Sequence, residues 1–223
     1  MKNFCILGQS NYALSVILEG LHALYADHDF SVDIVSNISV EENDSLQWPY
    51  KIKGIATHER MLYDWTPGGY LSYFVGSIGK SRQQIVRYFE QHFGISASEY
   101  GNLVYPSAVL ASTMEHGNGL HIGPQSVLAP YVQLGEFVVI NRHVSIGHHT
   151  ILDNFVTINP GVTIAGCCHL EEGVTIGAGA TILDNIKIGK NTLIGAGSVV
   201  TRSLPPGVVA YGVPAKIIRT MGA

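Results

Sequence analysis

Apolar positions in the first hundred residues switch between two spacings. Residues 3–7 (NFCIL) form a short apolar run that predicts a buried strand. The turn GQSN follows, and then an apolar-periodic stretch, residues 12–25, with the spacing of a helix. Residues 30–35 (FSVDIV) and 70–76 (YLSYFVG) predict two further strands, and residues 81–93 (SRQQIVRYFEQHF) an amphipathic helix. Strands that alternate with helices imply βαβ units and a small parallel sheet.

From Val104 the pattern changes. An aliphatic residue recurs every six positions, and of the 17 hexads that start at Val104, 16 open with Val, Leu or Ile; His116 is the exception. The fifth position is usually small or branched, as at Val132, Val138, Val144, Val156, Val162, Val174 and Ala180, and IGAGSV (194–199) is a clear single copy. Neither a helix nor a simple strand has a period of six, so the register belongs to a hexapeptide parallel β-helix. Three short strands make one triangular coil of about 18 residues, with the first residue of each hexad turned inward and glycine or polar residues at the corners. Each coil buries its aliphatic residues against the next, as in any solenoid. The chain thus reads as α/β plus β: a small Rossmann-like domain over residues 1–100, then a β-helix over 101–223.

Composition fits this reading. Hydrophobic residues make up 46% and charged residues only 13%, which suits a stacked backbone with few helix surfaces to solvate. A net charge of −4 argues against nucleic acid as the main partner. The longest apolar candidate, residues 12–26, contains Glu19 and His22 and is too short to span a bilayer. The N-terminal MKNFCILGQS has one Lys and a very short apolar core, unlike a secretory signal. Cys5, Cys167 and Cys168 give no disulfide framework, so a reducing cytoplasm is the expected compartment.

Several motifs invite chemistry. IGKS (78–81) resembles the end of a phosphate loop, but Phe74 stands where that motif needs its first Gly. LGQSNYA (7–13) lacks the second and third glycines of a dinucleotide fingerprint. As a strand–turn–helix start, it still presents backbone N–H groups where an anion is stabilised. His143 and His148 have the spacing of the zinc ligands in β-helical carbonic anhydrases. Their phase is wrong, however: fourth and third in their hexads, where that family has third and second. No metal is therefore expected. Cys168 occupies a fifth, inward position and reads as core rather than as a cluster with Cys167 and His169. His148, in VSIGHHTILD, is third in its hexad and points outward from a rigid coil, and Gly166 should stack beside it one coil later. A general base beside a backbone donor is what acyl transfer requires, while a solvated corner histidine is the plain alternative. From Lys187 to the end there are five basic residues (Lys187, Lys190, Arg202, Lys216, Arg219) and no acidic ones, which would attract a phosphate-bearing ligand such as coenzyme A.

Taken together, these residues resemble the bacterial sugar acetyltransferases of the NeuD/PglD type, most strongly over residues 138–166 and 194–219, which ends in GVPAKIIR. The resemblance implies a left-handed β-helix, a homotrimer with sites between adjacent helices, and acetyl transfer from acetyl-CoA to an amino or hydroxyl group of a nucleotide-linked sugar. It implies that His148 is the catalytic base and that Asn141, in the same groove, positions the acceptor. His149 stands where the family has an acidic residue that orients the base, and Thr157 where a second histidine often lies; Asp153 is a candidate substitute orienter. Gly166, Ala178 and Ala196 fall where family members give backbone contacts to the acetyl-CoA arm, which would run toward Lys216 and Arg219. In the N-terminal domain, Gly8, Ser10 and Asn11 occupy the family's substrate turn. Asn37, after the second strand, stands near the family's base-reading acid and offers both a donor and an acceptor. The departures at His149 and Thr157 also allow a sugar-nucleotide binding protein without catalysis, and a zinc lyase is the remaining alternative.

Overall fold

In the computed structural model, residues 2–25, 27–36, 55–77, 79 and 81–221 are described. The chain divides into two compact units, Met1–Leu103 and Val104–Ala223.

The first unit is a parallel sheet with helices. Its elements are β1 (Lys2–Leu7), α1 (Asn11–Tyr25), β2 (Phe30–Ser36), β3 (Ala56–Met61), β4 (Ser72–Val75) and α2 (Ser81–Phe93). The sheet order among the described residues is β3-β2-β1-β4, and every pairing is parallel. Central β1 and β2 are buried along nearly their whole length because both faces are covered. Sequence periodicity misses β3. Its residues, ATHERM, are mostly exposed at the sheet edge, so no buried face imprints an alternation on them. A cluster of rings, Trp65, Tyr70, Tyr73, Phe89 and Phe93, packs β4 and α2 together.

The second unit is a β-helix. Two-residue strands recur every six residues from Leu103–Val104 to Val199–Val200, and each up to Thr181–Ile182 pairs in parallel with the strand 18 residues on, as Ser145–Ile146 does with Thr163–Ile164. Three sheets result, and one ends in an antiparallel hairpin, Val208–Gly212 with Ala215–Thr220. The first-position aliphatic residues from Ile122 to Val200 form one buried stack with the fifth-position valines. Each such side chain contributes about 1.5–3 kcal/mol by leaving water. His116 and its strand are exposed at the sheet edge, where no earlier strand covers them.

Two features of the coil are not aliphatic. From Gln125 to Gly197 every sixth residue, the fourth of its hexad, has φ between 56° and 71°. These left-handed residues turn the corners; from Phe137 on each N–H donates to the third-position carbonyl of the previous coil, while Gln125 and Tyr131 donate to the hydroxyls of Ser107 and Thr113. Examples are His149 to Pro130 (3.1 Å) and Cys167 to His148 (2.8 Å). The fifth position sometimes carries a buried hydroxyl that stitches two coils. Ser126 Oγ donates to Asn141 O (2.7 Å) and accepts from Val144 N (3.2 Å). Thr150 Oγ1 donates to Ala165 O (3.1 Å) and accepts from Cys168 N (3.3 Å). Cys168, buried and reduced as its position predicts, makes the same donation to Leu183 O (3.0 Å), and burial raises its thiol above the ordinary range.

Candidate active site

His148 and His149 form the corner that follows the Ser145–Ile146 strand, and both side chains are exposed. His149 takes the left-handed conformation (φ 57°), which separates the two side chains in direction. Their rings stand nearly perpendicular, with centroids 5.2 Å apart and the two Nδ1 atoms 3.1 Å apart. On the preceding coil Tyr131 occupies the same corner position, and its ring lies 4.8 Å from that of His149. On the following coil Gly166 meets His148: a Cβ there would sit 2.8 Å from Cε1 and 2.9 Å from Nε2. Glycine is therefore required for the imidazole to occupy this place.

The N–H groups of Gly166, Ala178 and Ala196 make no hydrogen bond among the described residues. All three are third-position corner residues, so these donors are available to a ligand carbonyl. Ala178 and Ala196, however, lie on the corner that follows the other sheet's strands, Thr175–Ile176 and Leu193–Ile194, not beside His148. Asn141 belongs to that second corner too, directly after Val139–Ile140. Within one chain the Ser145–Ile146 strand separates Asn141 from His148, so a single chain does not bring them to one corner. The physical reason is the period: seven residues carry the chain across one flat face of the triangle.

Two further expectations change. Asp153 does not orient His148; its carboxylate lies 3.1 Å from His169 Nε2, on the corner after Ile151–Leu152. The basic end is also weaker than its composition suggests. Lys187 pairs with Glu171 (2.7 Å) and Lys190 with Glu172 (2.9 Å) across adjacent coils, while Lys216 and Arg219 remain exposed on the terminal hairpin. The Glu171 carboxyl is held below its ordinary value, first by the Lys187 hydrogen bond and then by the Lys190 N–H.

The N-terminal unit has its own cleft, about 440 Å³, at the carboxyl ends of β1, β2 and β4. Open parallel sheets bind ligands where neighbouring crossovers diverge, here beside β1. Gly8 and Ser10 line it. Gly8 has φ 96° and donates its N–H to Val35 O (2.8 Å); Ser10 N–H donates to Gly76 O (2.9 Å). Asn11 begins α1, and Asn37 lies outside the described residues. Sequence reasoning missed the opposite wall: Ser77, Ser81, Gln84, Ile85 and Tyr88. The available signal is a second strand–turn–helix start, VGSIGKS (75–81). The described lining residues carry hydroxyls and amides but no charged side chain.

Among the described residues no group of three or more His, Cys, Asp or Glu side chains could hold a metal ion. No helix of the described residues is long and apolar enough to cross a membrane.

The architecture defines a hexapeptide-repeat β-helix protein with an N-terminal parallel α/β domain. Residues 167–202 match the bacterial transferase hexapeptide family (six repeats). No curated protein sequence matches the chain. A histidine-to-asparagine variant of perosamine N-acetyltransferase from Caulobacter crescentus, solved with CoA and GDP-perosamine, is 25% identical. The match covers 98% of this chain and 97% of that one, with a TM-score of 0.76. The acetyltransferase domain of PglB from Neisseria gonorrhoeae, solved with acetyl coenzyme A, is 23% identical over 97% and 99% of the two chains, with a TM-score of 0.78. WeeI from Acinetobacter baumannii is 19% identical over 98% and 100%, with a TM-score of 0.66. These last two likenesses establish the fold, a left-handed β-helix behind a small parallel sheet.

Proposed function

We propose that the protein is an acetyl-CoA-dependent acetyltransferase whose acceptor is the amino group of a nucleotide-linked sugar. The observation that carries this reading is the seating of His148 against Gly166, with the unpaired Gly166 N–H on the same corner. His148 Nδ1 is engaged by His149, which leaves Nε2 as the nitrogen that accepts the acceptor's proton. The Gly166 N–H is suited to stabilise the oxyanion that develops at the acetyl carbonyl. The thioester supplies the acetyl group. The N–H groups of Ala178 and Ala196, with no large side chain at either corner, suit a pantetheine arm, and exposed Lys216 and Arg219 suit its phosphates.

The relative from Caulobacter supports the choice of an amine and of a nucleotide-linked sugar, since it is an N-acetyltransferase solved with GDP-perosamine. In the N-terminal unit, the cleft at the β1 switch point would hold the nucleotide portion. A homotrimer accounts for the two-corner arrangement. Packing β-helices side by side lets Asn141, Ala178 and Ala196 of one copy approach His148 and Gly166 of another, where a single chain keeps them apart. Mass determination in solution tests the trimer.

The central experiment measures coenzyme A release with a panel of amino-sugar nucleotides. His148→Ala should lower the rate by about a hundredfold, the scale of losing a general base. Nucleotide-sugar binding without any coenzyme A release would favour a binding protein, and stoichiometric zinc with CO2 hydration a lyase.

A further inference from the structure

The pair of histidines carries more than a base and its neighbour. A hydrogen bond between two Nδ1 atoms 3.1 Å apart contains one hydrogen, so one ring donates and the other accepts. For His148 Nε2 to be a free base, the hydrogen on the neutral His148 ring must sit on Nδ1. His149 must then accept at its own Nδ1, which requires it to be neutral with its hydrogen on Nε2. We infer that His149 is a positioning residue whose neutrality holds His148 in the basic tautomer, so that one proton on either ring silences the site. The inference rests on the reading of His148 as the base.

If His149 takes up a proton, both its nitrogens become donors. Its Nδ1–H then points at His148 Nδ1, which can accept only by giving up its hydrogen. That hydrogen moves to Nε2, and His148 no longer has a lone pair for the substrate. If His148 takes up the proton instead, it is spent directly. During turnover the acceptor's proton goes to His148 Nε2, while the Nδ1–H stays in its bond to His149. A carboxylate at position 149 would stay an acceptor across this range and would stabilise the resulting imidazolium; an imidazole does only the first, and only while neutral.

The surroundings leave this exchange to the pair. Tyr131 faces His149 from the preceding coil, Gly166 meets the His148 ring from the following one, and the Cys167 N–H donates to the His148 carbonyl. Asp184 occupies the equivalent of His148 two coils on, about 10 Å away at ordinary strand spacing, and accepts from Asn185 (2.7 Å). Arg202 holds the equivalent sequence position after it. Neither histidine forms an ion pair among the described residues. Tyr131 also holds the His149 ring in place, which a left-handed corner residue pointing into solvent would otherwise lack.

The fold itself supplies the test variants. Asn185 occupies the same corner two coils on with φ 58°, and Phe137 and Phe155 hold the same fourth hexad position at another corner with φ 56° and 60°. His149→Phe therefore removes the acceptor, and His149→Asn keeps an acceptor that does not titrate, both with side chains this backbone already carries. The measurements are kcat/KM against pH and the tautomers of both rings by nitrogen-15 NMR of histidine-labelled protein. Phe should lower the rate on the order of tenfold at alkaline pH, less than losing the base outright, and Asn should restore it. The acid limb should move to lower pH with Asn and to higher pH with His149→Glu. His148 should carry its hydrogen on Nδ1 and His149 on Nε2. Profiles for Phe and Asn that overlay the unsubstituted protein, or His148 found with its hydrogen on Nε2, would overturn the inference. If His148→Ala itself retains full activity, the assignment of the base fails instead, so the two failures are distinguishable.

Discussion

The imidazole of His148 rests against the α-carbon of Gly166, one coil further along, where a methyl group would approach within 2.8 Å of the ring. Gly166 shows no left-handed φ, so alanine is acceptable to the backbone there and only the ring objects. Gly166→Ala should therefore unfold at nearly the same temperature as the unsubstituted protein but lose about tenfold or more in kcat/KM, because the base is pushed out of line. Equal activity in the two proteins would show that the ring position does not matter to turnover.

The buried hydroxyl of Thr150 bridges Ala165 O and Cys168 N, so its loss leaves two buried polar groups unpaired. Thr150→Val, similar in shape, should destabilise by about 1–3 kcal/mol. Thr150→Ser keeps both bonds. Hydrogen exchange at the Cys168 amide should be faster in the Val protein and unchanged in the Ser protein.

Corner position 185 has φ 58°. Asn185→Gly should be nearly neutral, whereas Asn185→Val, with a branched side chain in the left-handed region, should cost about 1–2 kcal/mol. Urea denaturation of the two variants side by side gives the difference directly.

The Glu171 carboxyl is held below the usual carboxylate range by Lys187 and the Lys190 N–H. A depressed carboxyl contributes stability that is complete above its unfolded value and is lost as pH falls through the lower folded value. Lys187→Met should move the Glu171 titration back up toward the usual carboxylate range, seen in the carboxyl carbon shift across an acid titration. The effect on overall stability should be small, because the pair is on the surface.

The legible parts of this protein are those where one residue's burial is enforced by its neighbours. Every first-position aliphatic from Ile122 to Val200 is buried, as the hexad register alone implies. The N-terminal strands covered on two faces were equally readable, whereas β3 was not, since an exposed edge strand needs no apolar face. His148 and Gly166 could be paired from the 18-residue coil. The arrangement of His148 with His149 and Tyr131 could not, because ring angle and Nδ1 distance depend on a corner backbone that the sequence does not display.

The charge count misled for a related reason. Lys187 and Lys190 follow a run with no acids after them, yet stacking brings Glu171 and Glu172 beside them from the coil before. Asn141 and His148, only seven residues apart, lie on different corners. By itself, then, the sequence determined the period, the core and the two-part architecture, because repeated burial leaves a repeated pattern. Only the tertiary structure decided which side chains face one another, because in a coil of 18 residues the neighbours that carry chemistry are those one turn away, not those adjacent in the chain.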